Sequence, residues 1–138
     1  VPAETNLVMI STGTGLAPYI SMLRTPDVWN KYKRISLVHG VRYLTDFAYQ
    51  EELVSLENTH NFKYYSIVSR PEEGWSGTKG YVQDLIKTDV LVPDANTDHV
   101  LLCGNPSMIR DVSELLIGKG FKEHTRKDPG NLHIEKYW

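Results

Sequence analysis

The chain of 138 residues has a single cysteine, Cys103. That excludes an internal disulfide framework and any zinc or iron-sulfur site built from several cysteines, and it points to a reducing compartment, the cytoplasm. No apolar run approaches the roughly 18 residues of a membrane span, and Val1-Pro2-Ala3-Glu4 is not a signal peptide. Neither sign of charge dominates. With 15 Lys and Arg against 17 Asp and Glu, the formal charge is -2, so a broad electrostatic grip on nucleic acid or on an anionic membrane is not expected. The histidines, His39, His60, His99, His124 and His133, include no i, i+4 pair and no carboxylate pattern of a metal site. Structural or surface roles are expected for all of them, and no bound metal. The G-x-S-x-G string of serine hydrolases is missing as well. So is an initiator methionine, which suggests a processed product or an excised piece.

What is present is average for a globular chain: 41% hydrophobic and 23% charged residues, enough to bury a core in one domain. Four short apolar or β-branched runs read as buried strands, at residues 7–10, 35–39, 64–68 and 100–103, with a fifth at 132–137. Helical segments alternate with them, at 17–23, 46–56, 81–86 and 107–117. Asp46 stands at an N-cap position, and Pro106 suits a first helical turn, with Gly118 and Gly120 as stop signals. Strand and helix in alternation predict an α/β fold, an open parallel five-stranded sheet with helices on both faces. The loops at 71–80 and 93–98 are rich in Gly, Pro and charge and are expected at the surface. Residues 1–6 read as the end of an interdomain connection, and 7–138 as the domain itself.

Four strand ends are candidates to carry the chemistry. The first strand runs into Ser11-Thr12-Gly13-Thr14-Gly15-Leu16-Ala17-Pro18, glycines that let backbone amides approach a pyrophosphate at the start of a helix. It is not the dinucleotide motif G-x-G-x-x-G, because Pro18 fills the third glycine position, and no Gly-Lys-Ser/Thr of a P-loop follows. A tight turn with no ligand is the alternative. The fourth strand ends similarly in Cys103-Gly104-Asn105-Pro106, and in a parallel sheet both ends share the carboxyl edge, where open α/β proteins bind ligands. Cys103 has no neighbouring cation in sequence to lower its pKa, so burial is a better reading than nucleophile. Arg42-Tyr43 follows the second strand and Ser69-Arg70 the third. Cations there suit a ribose 2′-phosphate, whereas an NAD site carries an acid after its second strand; each arginine taken singly could equally be solvated. The stretch Lys119, Lys122, Arg126 and Lys127 reads as a solvated helix end, with docking to an acidic partner as the alternative. An aromatic pair, Tyr137-Trp138, closes the chain and is expected to pack on its own core or on a planar ligand.

Taken in order, these strings resemble the C-terminal, NADP-binding half of bacterial ferredoxin (flavodoxin)-NADP reductases. The resemblance rests on Thr12-Gly13-Thr14-Gly15 with Pro18, His39-Gly40-Val41-Arg42-Tyr43, Val68-Ser69-Arg70, Leu102-Cys103-Gly104-Asn105-Pro106, and Glu135-Lys136-Tyr137-Trp138. It implies the ferredoxin reductase-like NADP-linked fold. It further implies that Thr12, Gly13, Thr14 and Gly15 lie under the pyrophosphate and nicotinamide ribose. Arg42, Ser69 and Arg70 would select NADP over NAD, and Cys103, Gly104 and Asn105 would lie beside the nicotinamide, with Cys103 an orienting group that forms no covalent bond. Tyr137 would stack on the flavin with Trp138 near its adenosine part, and Glu135 would fall near a carboxylate of the flavin site. Many relatives carry a further Arg where this chain reads Thr78-Lys79-Gly80-Tyr81; Lys79 could supply that charge and Tyr81 could stack on adenine.

The same resemblance implies NADP(H) and FAD as cofactors, ferredoxin or flavodoxin as partner, and a monomeric full-length oxidoreductase. It also marks what is missing. The Arg-x-Tyr-Ser flavin motif does not occur, and the nearest string, Lys63-Tyr64-Tyr65-Ser66, falls inside the third strand, so the N-terminal FAD-binding β-barrel is not in this chain. Such a fragment would be inactive alone. The rival readings are the same module of another flavin or oxygenase reductase, and a non-catalytic nucleotide-binding module.

Overall fold

Every side chain from Leu7 to Ser11 is buried, a pattern satisfied by a central strand covered on both faces. That strand is β1 (Asn6–Thr12). In the computed structural model, which describes residues 5–70 and 77–135, β1 pairs in parallel with β2 (Arg34–Val41) on one side and β4 (Asp98–Cys103) on the other. β3 (Phe62–Val68) extends the sheet beyond β2, and β5 (Leu132–Glu135) extends it beyond β4. The order is β3-β2-β1-β4-β5, all parallel. This is the expected open five-stranded sheet, and its strand order reverses between β1 and β4, at the topological switch point.

The period-2 alternation of the strands divides the core into two layers. Leu7, Met9, Ile35 and Leu37 face α1 (Ala17–Leu23), α2 (Pro26–Lys31) and α3 (Gln50–Thr59), packing on Tyr19, Ile20, Leu23, Val28 and Leu53. Val8, Ile10, Val38, Val100 and Leu102 face α4 (Val82–Lys87) and α5 (Pro106–Gly118), packing on Leu85, Ile86, Met108, Val112 and Leu116. Each such side chain contributes about 2 kcal/mol by leaving water.

Several boundaries differ from the sequence reading. Asp46 does not cap a helix at 46–56: it ends a separate 3-10 turn, Leu44–Asp46, where its carboxylate accepts the Tyr43 N–H at 3.2 Å. α3 starts only at Gln50, after Tyr49 adopts a left-handed backbone (φ 62°) that interrupts the helical path. α2 was not anticipated, although Thr25-Pro26-Asp27 is a helix-start pattern. Tyr81 precedes α4 and is not part of it. Asn6 belongs to β1 and not to a connection. Pro93 and Asp98 are buried, against a surface placement for 93–98. Asp98 opens β4 and accepts hydrogen bonds from Asp94 N (2.8 Å), Asn6 Nδ2 (2.9 Å) and Thr97 Oγ1 (3.1 Å), which is how its burial is tolerated. The fifth strand is described to Glu135; Tyr137 and Trp138 lie outside the described residues, as do positions 71–76 of the first loop.

Among the described residues no group of His, Cys, Asp or Glu could hold a metal ion, and no helix is long and apolar enough to cross a membrane. His60 stacks on Trp29 at 4.0 Å, while His99, His124 and His133 gather along the β4–β5 side, with ring centroids 6.0 and 4.5 Å apart. Lys119, Lys122, Arg126 and Lys127 are exposed, and Lys122 pairs with Asp128.

Candidate functional site

Because all five strands run the same way, their carboxyl ends share one edge, and a groove of about 1010 Å³ opens there. Its floor is made where β1 and β4 diverge. Thr12 ends β1, and a 3-10 turn, Gly13–Leu16, leads directly into α1. The leading N–H groups of such a turn have no partner within it and can be offered to a ligand. Across the switch point, the Asn105 N–H donates to Thr12 Oγ1 at 2.8 Å, tying the two glycine loops together. Gly104 makes this approach possible. A Cβ there, at φ +133°, would overlap the Thr12 hydroxyl and stand 2.8 Å from the Thr12 nitrogen. Gly15 serves the same end, since a Cβ on it would lie 2.8 Å from the Cys103 carbonyl oxygen.

The Asn105 side chain has a local task. Its Oδ1 accepts from Ser107 N (2.8 Å) and Met108 N (3.2 Å), capping α5. Two α5 amides are thereby occupied, so the start of α5 offers fewer donors to the groove than the Gly13–Leu16 turn across the switch point can.

The far wall carries the cations. Beyond the last ladder pair of β2 and β3, the Ser69 N–H donates to the Val41 carbonyl at 2.9 Å and the Arg70 N–H to the Arg42 carbonyl at 2.8 Å. The two arginines are thus held side by side, both exposed. The Val68 N–H donates to Thr78 O and the Gly80 N–H to Val68 O, so Lys79 pairs beside β3 like a further strand residue. Neither Arg42, Arg70 nor Lys79 forms an ion pair with a described residue. Tyr81, 57% exposed, stands at this end, and its N–H is held by Asp84 Oδ2 at 2.8 Å.

The groove therefore brings together Thr12, Gly13, Gly15, Arg42, Ser69, Arg70, Tyr81, Gly104 and Asn105. Thr14 contributes its backbone to the turn. Lys79 is outside the lining, adjacent to the cationic end. Cys103 is fully buried in the α1-side core below the groove, as the burial reading expected. Glu135 is in register with Cys103 on β5 and lines a separate hollow of about 240 Å³ with Tyr19, Met22, Leu101 and His133.

Two residues given no site role by the sequence stand in the groove wall and beneath its floor. Tyr49 lines the wall with Arg24 over its ring at 5.5 Å, and Arg24 in turn makes a bidentate pair with Glu52 (2.9 and 2.7 Å). Its left-handed backbone costs about 1 to 3 kcal/mol, and strain of this kind tends to collect at functional sites. No sequence signal announces it. The other is His39, expected to be structural or superficial. It is buried beneath the turn with Nε2 2.9 Å from the Gly13 carbonyl oxygen, and burial holds its pKa below the ordinary histidine value against the opposing pull of that hydrogen bond. A histidine inside an otherwise apolar strand was the available signal.

Comparison with known proteins agrees with this geometry. Residues 9–114 match the description "oxidoreductase NAD-binding domain". The chain belongs to that family. Within the oxidoreductase NAD-binding domain family, it is 39% identical over 147 residues to a flavodoxin/ferredoxin-NADP reductase of Buchnera aphidicola subsp. Baizongia pistaciae (strain Bp), matching 100% of this chain and 59% of that protein. The chain thus spans about three fifths of the relative's length. A crystal structure of a ferredoxin NADP+ reductase from Neisseria gonorrhoeae with bound FAD and NADP superposes with a TM-score of 0.86 at 24% identity, over 99% of this chain and 58% of that one; it shows the shared fold. A mutant ferredoxin-NADP+ reductase from Plasmodium falciparum with 2′P-AMP superposes at 0.68 with 28% identity, covering 97% and 53%. What this chain shares with such proteins is the NAD(P)-binding domain of ferredoxin reductase-like flavin reductases.

Proposed function

We propose that this chain is the NADP(H)-binding domain of a cytoplasmic ferredoxin- or flavodoxin-NADP reductase whose FAD-binding domain lies outside it. The observation that carries the reading is the groove's layout: a glycine-bearing 3-10 turn that opens a helix at the β1–β4 switch point, and at its other end Arg42 and Arg70 locked together by a backbone hydrogen bond of 2.8 Å. An anionic dinucleotide with a 2′-phosphate fits that distribution. The pyrophosphate meets the Gly13–Leu16 turn, and the extra phosphate meets the guanidinium forks with the Ser69 hydroxyl beside them. An acid after β2, as an NAD ribose would favour, is replaced by Arg42. Asp46 does line the groove, but its carboxylate is engaged by the Tyr43 N–H.

Bound nicotinamide and flavin supply the chemistry, a hydride passed between nicotinamide C4 and flavin N5, with electrons then exchanged with ferredoxin or flavodoxin. The protein supplies position. Gly104 and Gly15 keep the floor bare of side chains so that a planar ring can approach the buried Cys103 region. Glu135 is in register with Cys103 at that edge; in the complete enzyme Tyr137 would hold the nicotinamide's place on the flavin until displaced, with Trp138 beside the flavin's adenosine part. Lys79 and Tyr81 complete the adenosine end.

Calorimetric titration of the chain with 2′,5′-ADP and with 5′-AMP tests the reading without any flavin. A preference for the bisphosphate of at least roughly tenfold, about 1.4 kcal/mol, is expected. Equal binding of the two would remove the 2′-phosphate assignment, and absence of binding would remove the nucleotide site.

A further inference from the structure

We propose that His39 is a positioning residue of the groove, holding the Gly13–Leu16 turn in the shape that presents its amides to a pyrophosphate. The inference rests on the nucleotide-binding reading and deepens it. β2 alternates, and its odd-numbered positions Ile35 and Leu37 face the α1–α3 layer, so an aliphatic residue at 39 would satisfy the core. The chain instead spends a buried histidine there, 1% exposed. A polar ring in that position is costly unless it is hydrogen-bonded.

Its partner is the Gly13 carbonyl, 2.9 Å from Nε2. A carbonyl can only accept, so Nε2 carries the proton and Nδ1 is bare. Nδ1 is buried and has no hydrogen-bond partner, which leaves the ring no use for a second proton. Gly13 has a left-handed backbone, φ 55°, open to glycine and strained for other residues, and its carbonyl is turned inward to His39. In a planar trans peptide the next N–H points opposite to that carbonyl. Fixing the Gly13 oxygen inward therefore aims the Thr14 amide outward, to the ligand side.

The ring has a second contact. Phe47 meets it edge to face at 5.8 Å between centroids, and Phe47 lies between Asp46 and Ala48, both of which line the groove. His39 thus braces two walls, the phosphate turn and the segment after β2, from beneath. It touches no ligand itself.

The test compares His39→Leu, close in size and without a donor, with His39→Gln, whose Nε2 can donate from nearly the same place. NADP+, which carries the pyrophosphate, and 2′-AMP, which reaches only the cationic end, are titrated into each full chain. His39→Leu is expected to weaken NADP+ at least about tenfold and leave 2′-AMP within about twofold, and His39→Gln to restore NADP+ to within about threefold of the parent. Unchanged NADP+ affinity in His39→Leu overturns the proposal, as does equal weakening of both ligands, which a general structural defect would produce. If His39→Leu does not fold, the nitrogen spectrum of the parent decides. A proton on Nε2 and none on Nδ1 at neutral pH supports the bracing role, and the opposite tautomer refutes it. Should the parent chain bind neither ligand, the nucleotide reading itself has failed and the inference falls with it; should the parent bind both and the variants behave alike, only the inference fails.

Discussion

Arg70 and Asn105 are neighbours of the same groove, yet their substitutions should have opposite signatures. Arg70→Ala removes a planar donor fork from the cationic end. Calorimetry should show 2′,5′-ADP affinity falling about tenfold or more, while 5′-AMP stays within about twofold; a parallel loss of both would point to damage elsewhere. Asn105 contributes through α5. Replacing it by Ala strands the Ser107 and Met108 amides and should cost about 1 kcal/mol in urea unfolding, whereas Asp retains the cap. An Ala variant as stable as the parent would show that water caps the helix equally well. At this scale the sequence was informative where a residue type has one dominant use. Two glycines at a strand end, and arginines where an acid is usual, raise the expectation of anion binding. It was silent where the use depends on a neighbour 26 positions away: nothing near His39 in sequence mentions the Gly13 oxygen that determines its tautomer.

Between elements, the pH response is set by histidines that the sheet has drawn together. His39 is held below its ordinary value of 6.5 by burial; His133 is lowered by burial and by the neighbouring His124 and His99. A histidine with a depressed folded pKa binds fewer protons folded than unfolded at pH values between the two. Stability should therefore be full above about pH 6.5 and decline as pH falls below it toward the lowered folded values. The urea midpoint measured across this range should drop on the acid side, and His39→Gln should flatten part of the drop. A midpoint that rises on acidification would contradict the sign. Element identity was legible in advance because buried parallel strands are short apolar runs and the helices between them are amphipathic. Boundaries were less so. Asp46 looked like a helix cap, but its carboxylate closes a local turn and Tyr49 breaks the path, so α3 begins four residues later. That outcome depends on how the segment returns across the sheet edge, which no local pattern encodes.

For the whole molecule, the tertiary consequence of parallel pairing is that residues from four strand ends become neighbours. Arg42 and Arg70, 28 positions apart, share a hydrogen bond, and Thr12 and Asn105, 93 apart, share another. The reductase reading extends this beyond the chain. Removing Tyr137 and Trp138 from the complete two-domain protein should tighten nicotinamide binding and relax discrimination against NADH; unchanged affinity and coenzyme preference would argue against a gating role for the terminal aromatics. Composition and periodicity by themselves determined that this chain forms an α/β sheet layered by helices, because burial on both faces demands continuous apolar strands. The glycine and arginine strings further pointed to the strand ends that line the groove. That parallel strand ends share one edge was expected; only the tertiary structure decided that Arg42 and Arg70 are held side by side there, that Asn105 is spent on α5, and that a buried His39 contacts the Gly13 oxygen. The physical reason is that hydrophobic period is a local property of the chain, whereas a hydrogen bond between distant residues exists only after strand order and register have placed its two partners within about 3 Å of each other.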